Sequence, residues 1–186
     1  MKKTPTIFIR DPKHRSLVLP EQNEECAWVF AGEGEATKKY DGSCCLVENG
    51  QLWKRREVKP GKDIPEGFRL VASDAVTGKV VGWMPVTNSR EDRFHVLAFQ
   101  GDFEDGTYEL CGPKVQGNKE RFKTHCLVSH RDAIKYANVE RTFEGIRDFL
   151  EPRDIEGLVF HHSDGRMAKI KKRDFGMERV KVSENE

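Results

Sequence analysis

Apolar residues in this chain come in short runs broken by glycine, proline, asparagine or aspartate, a rhythm of strands and turns. Residues 6–9 form a short apolar run halted by Asp11-Pro12, which predicts an edge strand. Cys26-Ala27-Trp28-Val29-Phe30 predicts another, entering the glycine-spaced segment Gly32-Glu33-Gly34. Residues 43–47 and 51–58 flank Glu48-Asn49-Gly50, and Asn-Gly between two apolar runs is a strong hairpin signal. Lys39 then lies just before the first arm of that hairpin, where a sheet can fix its stem. The glycine- and proline-rich residues 60–67 predict a loop. Further strands are predicted at residues 68–72, 80–83, 94–99, 107–111 and 158–161. The most helix-like segment is residues 141–150, where Phe143, Ile146 and Leu150 recur at helical spacing before Pro152. There is no internal repeat and no low-complexity tract. The sum is an α+β fold with antiparallel sheets.

The length of 186 residues suits one domain with a proper core, taken here as residues 1–186. Charged residues at 34% and apolar residues at 37% fit a soluble globular enzyme and exclude a disordered tail. A net charge of +1 hides a local bias, basic from Arg166 to Arg173 and acidic from Glu21 to Glu25. No apolar run approaches the length of a transmembrane helix, and Met1-Lys2-Lys3-Thr4-Pro5 lacks the apolar core of a signal peptide. Cys26, Cys44, Cys45, Cys111 and Cys126 form an odd set without C-x-x-C spacing. That argues against a disulfide framework or zinc site and for reduced thiols in a cytoplasmic setting.

The chemistry concentrates in Lys39-Tyr40-Asp41-Gly42, with Glu109, Glu156-Gly157-Leu158-Val159 and Lys169-Ile170-Lys171 downstream. A nucleophilic lysine with carboxylates and further lysines is what covalent nucleotidyl transfer to a lysine needs. A free lysine has a pKa of roughly 10.4, so only about one in a thousand is unprotonated near neutral pH. Lowering that value by ~3 units takes on the order of 4 kcal/mol, supplied by burial and neighbouring cations. Asp41, Glu109 and Glu156 oppose this unless a metal engages their charge, so a divalent metal is expected to be required for the first step. Mg²⁺ prefers oxygen ligands and keeps several waters, which three separated carboxylates can hold. Lys169 and Lys171, alternate residues of a strand, present two ammoniums to the phosphate oxygens, where charge builds during in-line displacement.

The whole set resembles the covalent nucleotidyltransferase superfamily, the ATP-dependent DNA and RNA ligases and GTP-dependent mRNA capping enzymes. Lys39 to Gly42 matches the family's first motif, K-x-D-G. Trp53-Lys54-Arg55-Arg56 is similar to its arginine-bearing second segment. Tyr108-Glu109-Leu110-Cys111-Gly112-Pro113-Lys114-Val115-Gln116 resembles the third motif as RNA ligases write it. Glu156 to Val159 matches E-G-x-V, and Lys169 to Lys171 matches K-x-K. The five stand in family order between residues 26 and 175. Gly82-Trp83-Met84-Pro85-Val86 and Asp105-Gly106-Thr107-Tyr108-Glu109 make the chain similar to the group that includes the vertebrate cytosolic 5′-to-3′ RNA ligase and short viral or bacterial relatives.

The resemblance implies an adenylyltransferase domain, ATP-grasp-like, with antiparallel sheets flanking a nucleotide cleft. No C-terminal oligonucleotide-binding (OB) domain is expected after the K-x-K segment. It implies ATP as the nucleotide, Mg²⁺ or Mn²⁺ as the metal, and RNA bearing 5′-phosphate and 3′-hydroxyl ends as the partner, with no membrane role. Lys39 would carry the adenylyl group, Lys169 and Lys171 would contact the α-phosphate, and Arg55 would touch the nucleotide sugar or the RNA 5′-phosphate. Glu109 and Glu156 would serve both nucleotide and metal; with Asp41 they would orient the metal's waters. Ligases often place glutamate before the nucleophile, where this chain has Lys38. A DNA ligase, a capping-type guanylyltransferase and a non-catalytic RNA-end-binding module are the alternatives. His161-His162, Lys172 and Arg173 stay outside the site, because adjacent strand residues diverge and charge runs are mostly solvated faces. Cys44 and Cys45 read as a strand pair with one side chain inside and one out.

Overall fold

A computed structural model describes residues 3–179 apart from Val76. In chain order the regular elements are β1 (Phe8–Arg10), β2 (Val18–Gln22), α1 (Ala27–Phe30), β3 (Glu35–Lys39), β4 (Ser43–Glu48), β5 (Gln51–Val58), β6 (Arg69–Ser73) and β7 (Val80–Pro85). They continue with α2 (Arg93–Ala98), β8 (Gly106–Cys111), β9 (Cys126–Ser129), β10 (Lys135–Tyr136), α3 (Phe143–Leu150), β11 (Gly157–His161) and β12 (Met167–Lys171). The fold is α+β, with antiparallel ladders and short helices. No helix of the described residues is long and apolar enough to cross a membrane. The described residues form two compact units, one of Asp41–Asp132 and one of Thr4–Tyr40 with Ala133 to Arg179.

The first unit is built on a six-stranded sheet in the order β6-β7-β5-β4-β8-β9. Its β4–β5 hairpin turns at Asn49 and Gly50, both left-handed at φ 52° and 72°, as a two-residue turn of the type that matches strand twist demands. Alternation sends Cys45, Val47, Leu52, Tyr108 and Leu110 to one face, where they bury against Phe94 and Ala98 of α2. Cys45 is buried and Cys44 only partly so, the expected in-and-out pair. Of residues 94–99, predicted as a strand, 94–98 are helical instead and Phe99 follows the helix end. Phe94 and Ala98, four apart, supply the apolar contact while Leu97 is exposed, a helical spacing hidden in a short apolar run. Asp92, just ahead of α2, is fully buried and ion-pairs with Lys54 while accepting from the Thr87 amide (2.9 Å) and hydroxyl (3.1 Å).

The second unit carries a four-stranded sheet, β10-β3-β11-β12, beside the two-stranded β1-β2 ribbon. Ala36, Leu158, Phe160, Ala168 and Ile170 share the face that packs on Ile146 and Leu150 of α3. Each such fully buried large side chain contributes about 1.5–3 kcal/mol relative to exposure. Helix α3 falls within the predicted residues 141–150 but starts at Phe143, where the Thr142 hydroxyl caps it by accepting from the Gly145 amide at 3.0 Å. Phe8 joins this core, its ring 5.3 Å from Phe30 and 5.1 Å from Phe143. Residues 26–30, predicted as a strand, form a helical turn. Asn23 caps the preceding 3-10 turn by accepting from the Glu25 amide at 3.1 Å, and Glu24-Glu25 supply the acidic first turn. That start signal outweighs the strand-like apolar run that follows it.

Candidate active site

The backbone register of β3, β11 and β12 sets the arrangement. Gly157, first residue of β11, pairs with Lys39 on one side and Lys171 on the other. Directly opposed residues of an antiparallel ladder share a face, so both lysines rise from the side of the sheet away from the α3 core. No side chain stands between them, because a Cβ on Gly157 would lie 2.1 Å from the Ile170 carbonyl oxygen and 2.8 Å from the Lys171 Cα. The adjacent Glu156 fills that gap. Lys39 Nζ donates to Glu156 Oε2 at 2.6 Å and to the Tyr40 carbonyl at 3.3 Å, and Lys171 Nζ donates to Glu156 Oε1. All three side chains are largely buried. Burial pushes the Glu156 carboxyl up, but the two ammoniums outweigh it and hold the group below the ordinary carboxylate value.

The backbone around the cluster is pinned by groups outside it. Lys171 donates its amide to Asp174 Oδ2 at 2.9 Å, and Asp174 is fully buried against Arg10 at 3.0 Å. The Lys172 amide donates to the Glu156 carbonyl at 2.8 Å. Lys172 is not on a solvated face as its charge run suggested. Only 2% exposed, it donates from Nζ to the carbonyls of Glu151 and Arg153 at 2.9 and 2.7 Å, and burial lowers its pKa. Arg173 is exposed.

Lys169 pairs with Val159, which pairs with Thr37, one same-face step along the sheet from the Lys39 row. The Thr37 hydroxyl donates to the Val159 carbonyl at 3.1 Å and lies 3.1 Å from His161 Nε2. His162 turns elsewhere, to Glu33 at 2.6 Å and Asp164 at 2.8 Å. Lys38 shares a row with Leu158, so it leaves the sheet on the side opposite Lys39, and its ammonium sits 4.6 Å from the Tyr40 ring centroid.

The remaining predicted residues belong to the six-stranded unit. Asp41 begins it, accepting from Lys119 at 3.2 Å through Oδ2 while its amide donates to Glu120 at 3.0 Å. Lys54 and Tyr108 both lie opposite Cys45 on the α2-covered face, so their neighbours Arg55 and Glu109 share the other face. Arg55 is half-buried, and Arg56, its neighbour, is exposed on the alternate side. Glu109 is 8% exposed and accepts from His130 at 3.1 Å. Gly42 lets this strand approach: a Cβ there would lie 2.3 Å from the Leu110 carbonyl oxygen and 2.7 Å from the Glu109 side chain. His130, Lys119 and Glu120 are partners that sequence reasoning missed. The signal for His130 is the pairing of β8 with β9, a strand the apolar pattern did not reveal, whereas Lys119 and Glu120 lie in the connection between those strands.

Among the described residues no three or more His, Cys, Asp or Glu side chains gather as a metal-binding group. Glu156, Glu109 and Asp41 are hard oxygen donors, each already holding a protein partner.

No protein-family model matches the chain. It is similar to proteins named RNA ligase 1 from three vertebrates. With that of Rattus norvegicus it is 22% identical over 267 aligned positions, covering 95% of this chain and 81% of the relative. With that of Pongo abelii it is 21% identical, and with that of Danio rerio 25%, each covering 76% of this chain and 67% of the relative. These likenesses support a distant relationship to RNA ligases at the family level.

Proposed function

We propose that this chain is an ATP-dependent RNA ligase that seals 5′-phosphate to 3′-hydroxyl RNA ends through a lysyl-AMP on Lys39. The observation that carries the reading is the convergence of Lys39 and Lys171 on Glu156 across a strand whose facing residue is glycine. Likeness to RNA ligase 1 proteins supports the choice of RNA.

In this reading the Lys39 amine attacks the α-phosphorus of ATP, a P–N bond forms, and the P–O bond to pyrophosphate breaks. The ammonium proton must leave Lys39 first, to solvent, and Glu156, 2.6 Å from Nζ, holds the amine in place. Lys171 and Lys169 meet the negative charge that grows on the phosphate oxygens. The AMP then passes to an RNA 5′-phosphate, making a P–O–P bond as the P–N bond breaks. A 3′-hydroxyl attacks the RNA phosphorus and AMP leaves.

Arg55 contacts the nucleotide sugar or the RNA 5′-phosphate, and Glu109 the nucleotide. Asp41, Glu109 and Glu156 would hold the waters of a Mg²⁺ or Mn²⁺ ion, which when bound would screen the triphosphate charge. The reading includes an adenylyltransferase fold, one nucleotidyltransferase domain across residues 1–186, and a cytoplasmic site of action.

The test is incubation with α-labelled ATP and Mg²⁺, denaturation, and a search for acid-labile label on the polypeptide. The wild type is expected to take label from ATP, Lys39→Ala to take none, and 5′-phosphorylated nicked RNA to be sealed. Label from GTP alone would point to a capping-type enzyme. RNA-end binding that survives Lys39→Ala, with no adduct in the wild type, would leave a binding module in place of an enzyme.

A further inference from the structure

One histidine of the six-stranded unit stands against a residue of the proposed reaction and has no part in it so far. His130 follows β9 directly, and its amide donates to the Thr107 carbonyl at 3.0 Å, extending the β8–β9 ladder by one pair. This sets His130 opposite Thr107, on the face that also carries Glu109, two residues along β8. The ring bridges the two: Nε2 lies 3.1 Å from Glu109 Oε2 and Nδ1 lies 3.0 Å from Thr107 Oγ1. A carboxylate only accepts, so the Nε2 hydrogen points at Glu109, and in the neutral ring Nδ1 accepts from the Thr107 hydroxyl. Among the described residues nothing else hydrogen-bonds to the Glu109 carboxylate.

We propose that His130 is a positioning residue for Glu109, clamping Oε2 from one side so that Oε1 is presented in a fixed direction to the nucleotide. The inference rests on the ligase reading above and deepens it. The clamp has its own support: the ring is held at Thr107 by a side-chain contact and through its backbone, so it cannot follow Glu109 if the carboxylate turns. Glu109 without it is a side chain with three rotatable bonds and no partner, on a strand that otherwise fixes only its Cα. Misplacement of a ligand-contacting group by about 1 Å can cost on the order of a hundredfold in rate. Thr107 in turn orients His130, so the order of influence runs Thr107, His130, Glu109, nucleotide.

The experiment measures the rate of Lys39 labelling by α-labelled ATP over a range of ATP concentrations. It compares the wild type with His130→Ala, His130→Gln, Thr107→Val, Glu109→Gln and the double variant His130→Ala/Glu109→Gln. His130→Ala is expected to slow labelling about tenfold to a hundredfold. The double variant should be no slower than Glu109→Gln alone, because both changes remove one function. His130→Gln, which keeps an N–H donor, should recover most of the rate. Thr107→Val keeps the shape of the side chain and loses only the hydroxyl, so it should give a smaller loss and remains informative if His130→Ala fails to fold.

A merely structural role would give additive losses in the double variant and no rescue by glutamine, and either result overturns the proposal. Wild-type labelling beside an equally fast His130→Ala variant overturns the role of His130 alone. A wild type that takes no label overturns the ligase reading and this inference with it.

Discussion

Glu156→Gln removes the charge at the centre of the lysine cluster and almost nothing else. Glu156 accepts from Lys39 at 2.6 Å and from Lys171, and all three side chains are 12–18% exposed. Hydrogen bonds to charged partners contribute roughly 1.5–3 kcal/mol each, and partial exposure favours the lower end. Glutamine keeps one neutral acceptor and relieves the desolvation of a carboxylate. The net loss is therefore about 1–2 kcal/mol near neutral pH, or about 2–8 °C in the thermal midpoint for a chain of this size.

The sign of the pH dependence follows from the depressed pKa. Burial raises the Glu156 carboxyl, yet Lys39 and Lys171 prevail and hold it below its ordinary 4.5. Its stabilisation is thus fully present above pH 4.5 and is lost as the pH falls through the lower value of the folded state. Thermal melts by circular dichroism should separate wild type from variant near neutral pH and bring them together in acid. In parallel the variant, holding Lys39 less firmly, should lose on the order of a hundredfold in labelling rate. Equal midpoints near neutral pH, or a gap that persists unchanged to about pH 2, would refute the electrostatic account of the cluster.

Gly157→Ala pushes a methyl against the Ile170 carbonyl oxygen at 2.1 Å, so it should cost at least the upper end of ~1–3 kcal/mol and disturb both lysines. A denaturant midpoint equal to wild type would show that β12 yields freely. Asp92→Ala strips a fully buried carboxylate from Lys54 and from the Thr87 amide and hydroxyl, and should cost about 3–5 kcal/mol in a urea titration. Lys172→Met leaves the Glu151 and Arg153 carbonyls without their ammonium and should cost about 1–3 kcal/mol. Because the backbone bond from residue 172 to the Glu156 carbonyl survives, Lys172→Met should still take the covalent label. Loss of the label with an unchanged midpoint would instead place Lys172 among the ligand contacts.

The hairpin at Asn49-Gly50 and the helix after Thr142 were legible because each has a local cause: two left-handed turn residues, and apolar residues at helical spacing ahead of Pro152. Residues 26–30 and 94–99 were misread as strands because apolar runs of five or six fit either state, and what decided them was local capping or tertiary burial. Strand β3, which ends in Lys39, was invisible as Glu-Ala-Thr-Lys-Lys. Only Ala36 and Thr37 are buried in it, and its place is fixed by pairing with β11, more than a hundred residues away. The candidate site followed the same division. Lys39, Glu156 and Lys171 could be named from motif order, and the structure brings these three together. The partner His130 could not be named, since a hydrogen bond across a ladder depends on register, and register is a property of two segments at once. Lys119 meets Asp41 from a turn between β8 and β9, a contact that no local pattern announces.

Two motif glycines share a physical purpose that conformational freedom alone does not explain. Neither Gly42 nor Gly157 adopts a left-handed backbone, so another residue could take the same dihedral angles. What excludes a side chain is distance: a Cβ would meet the Leu110 carbonyl at 2.3 Å in one case and the Ile170 carbonyl at 2.1 Å in the other. In each case the crowded neighbour is a strand that carries a residue of the proposed site, Glu109 on β8 and Lys171 on β12. The glycine of K-x-D-G therefore admits β8, and the glycine of E-G-x-V admits β12. Charged side chains of fixed length can meet at hydrogen-bonding distance only if their backbones are spaced to suit. Lys39 and Lys171 are two strand spacings apart, about 9–10 Å between backbones, and a side chain at 157 would compete with Glu156 for the space between them. The small residues in these motifs are thus as much a condition for the charge cluster as the lysines themselves.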